Sequence, residues 1–126
     1  ATKGYSDEQK SIYDIVLNAQ VKSIEGIKSG MPCKSIDSIA RDYIANAGYS
    51  KFFDHGLGHS LGLEIHEDPR FSKVSEDVLE ENYVMTVEPG IYVPDIGGVR
   101  IEDDIIVTNN GAEILNKTSK EFQVIS

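Results

Sequence analysis

The sequence predicts an α+β domain: two amphipathic helices, then consecutive strands of an antiparallel sheet. Three observations carry this. Apolar residues recur at helical spacing through the first third of the chain. Gly56, Gly58 and Gly62 interrupt any helix after Phe52. The remainder is a succession of short runs rich in β-branched and aromatic residues, as strands are. Helices first and strands after imply an antiparallel rather than a parallel sheet.

Taken in order, Ser6 followed three residues later by Gln9 has the form of a capping box opening a helix. Ile12, Ile15, Val16, Ala19 and Ile24 then keep helical spacing up to about Ile27, where Ser29-Gly30-Met31-Pro32 breaks it. A second helix is predicted with Ser35 as cap and Ile36, Ile39, Ala40, Tyr43, Ile44 and Ala47 on one side; Gly48 sits where a C-terminal glycine belongs. Each of the three later glycines would cost roughly 1 kcal/mol in a helix interior, so 54–67 is predicted as loop and strand. Residues 75–82 are polar and acidic, a surface connection. Segments 83–88, 91–93, 99–108 and 112–115 are predicted strands, the last two joined by the hairpin signal Asn109-Asn110-Gly111.

The 126 residues, 40% of them apolar, fit one domain with an ordinary core. No apolar run approaches the roughly 18 residues of a membrane helix. The start carries no signal-like stretch and no initiator methionine, so the chain is expected to be processed or a piece of something longer. The single cysteine, Cys33, cannot form an internal disulfide; it is expected as a small, partly buried apolar residue, and a reducing cytoplasm as the compartment. A net charge of −9 argues against nucleic acid as a partner. All of that excess falls between Glu64 and Asp104, with 12 acidic and 3 basic residues. Such a window is either a solvated acidic face or a site for multivalent cations.

The candidate chemistry lies in that stretch and just before it. His55, His59 and His66 fall within twelve residues. Glu88 ends the apolar run Tyr83-Val84-Met85-Thr86-Val87, where a buried carboxylate would need a partner or a metal. Strict alternation puts Arg100, Glu102 and Asp104 on the face opposite Ile101, Asp103 and Ile105; Asp103 and Asp104 are weaker candidates than Glu102. Arg100 can grip a carboxylate with two hydrogen bonds. An imidazole with several carboxylates suits harder divalent ions such as Mn²⁺, whereas structural zinc sites need cysteines.

These residues carry a resemblance. His55-Gly56-Leu57-Gly58-His59-Ser60-Leu61-Gly62-Leu63-Glu64-Ile65-His66-Glu67 resembles the histidine motif of the proline-specific metallopeptidases of the pita-bread (creatinase/aminopeptidase) fold, the Xaa-Pro dipeptidases and Xaa-Pro aminopeptidases. Thr86-Val87-Glu88-Pro89-Gly90-Ile91-Tyr92 and Gly97-Gly98-Val99-Arg100-Ile101-Glu102-Asp103 resemble the two glutamate motifs that follow. The resemblance implies a curved antiparallel sheet behind the two helices, and a dinuclear site in which His59 binds one metal, Glu88 is a ligand that assists proton transfer, and Glu102 bridges both. It implies that His66 hydrogen-bonds the scissile carbonyl and that His55 and Arg100 line the substrate site. The implied reaction is hydrolysis of the bond before proline by a water shared between two divalent cations, manganese by preference with cobalt or zinc as alternatives. The implied partners are a proline-containing peptide and, in the parent protein, a second copy.

The family uses five protein ligands, and three are matched here. The other two are aspartates on earlier strands; Asp7 and Asp14 lie within the first helix pattern and do not fit, and Ala1-Thr2-Lys3-Gly4-Tyr5 resembles the end of the strand carrying the second. Residues 1–126 are therefore expected to be the C-terminal portion of a catalytic domain, inactive or nearly so alone. A methionine aminopeptidase-like enzyme shares the ligand set, and a non-catalytic peptide- or protein-binding module of the same fold is the rival from another class.

Overall fold

A computed structural model of the chain describes residues 6–61, 69–117 and 122–123. Helix α1 (Asp7–Glu25) opens on the capping box read from the sequence: the Gln9 N–H donates to Ser6 Oγ at 3.1 Å and the Ser6 N–H to Gln9 Oε1 at 2.9 Å. Ile12, Val16 and Ala19 are fully buried, with Ile15 and Ile24 half-buried beside them. Two polar residues share the buried face. Ser23 Oγ donates to the Ala19 carbonyl at 2.8 Å, and Gln20 Nε2 donates to the Val87 carbonyl at 3.4 Å. Apolar periodicity passes over such residues; their hydrogen bonds are what permit burial.

Helix α2 (Cys33–Asn46) begins two residues before the predicted cap, Ser35. Pro32 takes the cap position at φ −65° and no side chain caps the helix. The physical reason lies in the 75–82 connection: the Cys33 N–H donates to the Asp77 carbonyl at 2.9 Å, so backbone satisfies the first donor of a helix that opens before Ser35. That connection is also less solvated than its composition implied. Leu79 is buried, and it exchanges backbone hydrogen bonds with Gly30 and Met31 at 2.8 and 2.9 Å. At the other end Gly48 adopts φ +96° and the Tyr49 N–H turns back to the Ile44 carbonyl at 3.1 Å, the C-terminal arrangement predicted for this glycine.

Eight short strands follow among the described residues, all paired antiparallel: β1 (Gly58–His59), β2 (Arg70–Phe71), β3 (Val84–Val87), β4 (Gly90–Val93), β5 (Gly97–Arg100), β6 (Asp103–Val107), β7 (Ala112–Lys117) and β8 (Phe122–Gln123). They form a β1-β2 pair and two three-stranded sheets, β3-β6-β7 and β4-β5-β8, rather than one continuous sheet. The predicted strand 99–108 divides at Ile101 and Glu102. Opposite that division lies Pro89, which has no N–H to give to a ladder, while the Glu88 N–H leaves the ribbon for the Leu57 carbonyl at 2.7 Å. The two halves nonetheless keep one register, Val87 facing Asp103 on one side of the break and Gly90 facing Arg100 on the other. Burial alternates straight through it, with Val99, Ile101, Asp103, Ile105 and Val107 buried. The hairpin between β6 and β7 closes at 109–111 as read, the Thr108 N–H donating to the Gly111 carbonyl at 2.8 Å.

Helix α1 packs on α2 and covers β3, β4 and β5. No helix among the described residues is long and apolar enough to cross a membrane. Residues 57–61 run beside β3, with Ser60 bridging Met85 and the Leu61 N–H donating to the Val84 carbonyl at 2.8 Å. Gly58 makes this approach feasible, because a Cβ there would run into the Thr86 carbonyl oxygen. Gly58→Ala should therefore destabilise the fold by about 1–3 kcal/mol or more. Gly111→Ala, whose Cβ would meet only the Ile27 carbonyl oxygen at 3.9 Å, should leave stability nearly unchanged in the same melting experiment.

Candidate metal centre

The break in the ribbon is where the chemistry collects. The register shared by β3-β6 and β4-β5 sets position 88 across from position 102, so two glutamates face one another in the gap between the two ladders. Glu88 is held from below. The His59 N–H donates to Thr86 Oγ1 at 3.0 Å, and that hydroxyl donates its one proton to Glu88 Oε2 at 2.8 Å. Thr86 is buried, and β1 and β3 together fix it.

His59 completes the arrangement. Its Nδ1 lies 3.0 Å from the Ser60 carbonyl, which can only accept, so Nδ1 is the donor there and Nε2 is left to face Glu88. That Nε2 stands 3.4 Å from Glu88 Oε2. A lone pair facing a carboxylate oxygen is repulsive unless a proton or a cation joins them. On the opposite strand, burial foremost and then the Glu88 carboxylate hold the Glu102 carboxyl above its ordinary value. Arg100 Nη2, 4.0 Å from Glu102 Oε1, offsets only part of this. One imidazole and two carboxylates are a fitting donor set for a divalent cation. The set is incomplete: among the described residues no three His, Cys, Asp or Glu side chains stand close enough to hold an ion. Asp103, opposite Val87, is buried away from the glutamates' side of the ribbon.

Beside this pair lies a cavity of about 370 Å³ whose walls include His55, His59, Arg70, Glu88, Tyr92 and Arg100. Four of the six residues expected at the site thus border one space; Glu102 approaches it from across the ribbon, and His66 lies outside the described residues, as does 1–5. His55 Nδ1 is 2.7 Å from the Gly56 carbonyl, and its buried Nε2 has no hydrogen-bond partner among the described residues. Arg70, Thr86 and Tyr92 were not read as site residues from the sequence. Thr86 could have been, since two residues before Glu88 on a strand is the same face. Arg70 reaches the cavity through the β1-β2 pairing, which no local pattern announces. Burial raises the Tyr92 phenol above its usual range, with Arg100 opposing it. Cys33 is fully buried and its thiol is pushed up to about 11, chiefly by burial, which makes it an inert core residue as expected.

Comparison with known proteins identifies the family. The profile of metallopeptidase family M24 matches residues 2–109. The chain is 55% identical over 117 residues to an Xaa-Pro dipeptidase of Pyrococcus horikoshii, covering 93% of this chain and 33% of that protein. The corresponding enzyme of Pyrococcus furiosus is 53% identical over the same length, at 93% and 34%. Among solved structures, the Pyrococcus horikoshii prolidase superposes with a TM-score of 0.86 over 92% of this chain and 33% of its own, at 55% identity. An X-Pro aminopeptidase from Thermotoga maritima matches with a TM-score of 0.85 at 44% identity, over 95% and 34%. The chain therefore spans about a third of the length of the relatives it matches. With two helices backed by antiparallel strands in the pita-bread arrangement and a profile match over most of its length, the chain belongs to metallopeptidase family M24.

Proposed function

We propose that the protein containing this chain hydrolyses the peptide bond before proline, and that residues 1–126 are the C-terminal portion of its catalytic domain. The observation that carries this reading is the His59 Nε2 set 3.4 Å from a Glu88 carboxylate that itself faces Glu102. In this reading His59, Glu88 and Glu102 are metal ligands, and two aspartates from outside the chain complete a dinuclear site. Divalent cations, manganese by preference, would supply the lowered water pKa and the polarisation of the scissile carbonyl. The chain's own residues do the rest. Glu88, steadied by Thr86, takes and returns a proton; His66 donates to the developing oxyanion; His55 and Arg100 bind the proline side of the substrate. Arg100 in the cavity lining favours the dipeptidase over the aminopeptidase, because a dipeptide places its carboxylate one residue beyond the scissile bond. The parent protein is a cytoplasmic homodimer in this reading, and the chain alone is inactive.

The experiment that tests it is hydrolysis of an Xaa-Pro dipeptide by the complete protein, compared with an Xaa-Pro tripeptide. Glu88→Gln should lower kcat/KM roughly a thousandfold, about 4 kcal/mol of transition-state stabilisation. Glu102→Gln should likewise abolish turnover; a variant that loses no turnover, or a parent protein that binds such peptides without cleaving them, contradicts the proposal in favour of a binding module.

Glu102 gives a pH prediction for the metal-free protein. Its folded-state carboxyl is held above the ordinary 4.5, so the folded chain keeps a proton there that the unfolded chain has released. Stability from this group is therefore lost as pH rises through and above that value. Glu102→Gln should raise the Tm of chelator-treated protein at pH 7, and the gain should vanish on acidification below about pH 4. An unchanged or lower Tm at neutral pH would show that the carboxylate is not under strain.

A further inference from the structure

Helix α2 carries a buried ion pair that none of the roles above uses. Asp37 is fully buried, and Arg41, one turn later, donates Nε to its Oδ2 at 2.8 Å and Nη2 to its Oδ1 at 3.2 Å. The guanidinium then continues away from the helix. Nη1 donates to the Phe53 carbonyl at 3.0 Å and Nη2 to the His55 carbonyl at 2.9 Å. Asp37 Oδ1 also accepts the Leu57 N–H at 3.0 Å, a donor shared with the Phe71 carbonyl at 2.8 Å. The side chains repeat the connection: Arg41 Cζ lies 4.4 Å above the Phe53 ring, and Phe53 meets the His55 imidazole edge-on with centroids 5.0 Å apart. The His55 ring in turn lies 6.0 Å from that of Tyr92, another wall of the cavity. A pair serving only the helix would not aim three hydrogen bonds at the backbone of residues 53–57.

We propose that Arg41 and Asp37 are positioning residues for His55, fixing its backbone from both sides and its ring through Phe53 so that the imidazole stands in the cavity wall. The assignment deepens the reading of that cavity as the substrate site and rests on it. Arginine is required because the task needs a planar fork with several donors in fixed directions, which a lysine ammonium does not provide. His59 is held separately, by Thr86 and β3. Loss of Arg41 should therefore loosen substrate binding before it disturbs the metal ligands.

In the complete protein, Arg41→Lys should raise KM for an Xaa-Pro dipeptide about tenfold while kcat at saturating substrate stays within about twofold. It should also shift the His55 imidazole signals in the nitrogen-15 spectrum of the histidines, leaving those of His59 and the manganese affinity in place. Phe53→Leu keeps the ion pair and the carbonyl bonds, and should move the His55 ring signals alone; it decides the matter if Arg41→Lys does not fold. Unchanged KM and unchanged His55 signals in the folded variants overturn the proposal, as does a fall in kcat and metal affinity at constant KM. If the unaltered protein cleaves no Xaa-Pro peptide, the functional reading fails, and the His55 signals still decide the positioning role.

Discussion

The peptide unit of Leu57 ties the helical layer to the candidate centre. Its N–H is shared between the Phe71 carbonyl and the Asp37 carboxylate of α2, and its carbonyl accepts the N–H of Glu88. From this point the rest of the site follows in both directions. Backward along the chain, Arg41 fixes residues 53–55. Forward, Gly58 lets the strand close on β3 and the His59 N–H reaches Thr86, which orients Glu88. Pro89 has no N–H, so the ribbon loses one ladder bond there while the Ile101 N–H still donates to the Pro89 carbonyl at 3.3 Å, and Glu88 and Glu102 face each other at the adjoining non-hydrogen-bonded step.

That break is energetically unfavourable as it stands. Glu88 and Glu102 face one another across it with the His59 imidazole beside Glu88, and burial together with the Glu88 carboxylate holds the Glu102 carboxyl above its ordinary value. Natural proteins concentrate such unfavourable groupings at functional sites. A divalent cation would offset this repulsion, which is the chemistry expected of the metallopeptidase family to which the chain belongs.

Much of the fold was legible because its signals are local. The Ser6–Gln9 capping box, the Gly48 terminus and the Asn109-Asn110-Gly111 turn each depend on a few neighbouring residues, and all three form as read. Glu88 and His59 were legible as candidates because a carboxylate ending an apolar strand and a histidine among glycines both ask for a partner. What escaped was non-local. Helix α2 opens at Cys33 rather than after Ser35, its first N–H taken by a carbonyl forty-four residues further on, at Asp77. Gln20, Ser23 and Asp37 are buried against the apolar pattern because distant or backbone partners satisfy them. The division of 99–108 into two strands depends on Pro89 across the ribbon, and the alternation within that run carries no trace of it.

The central claim is that this chain holds part of a metal site whose remaining ligands come from elsewhere in the protein. Calorimetric titration with Mn²⁺ after chelator treatment, of the chain and of the complete protein in parallel, tests it most directly. The account predicts weak binding of at most one ion by the chain and tight binding of two by the complete protein. Two tightly bound ions on the chain alone would contradict it.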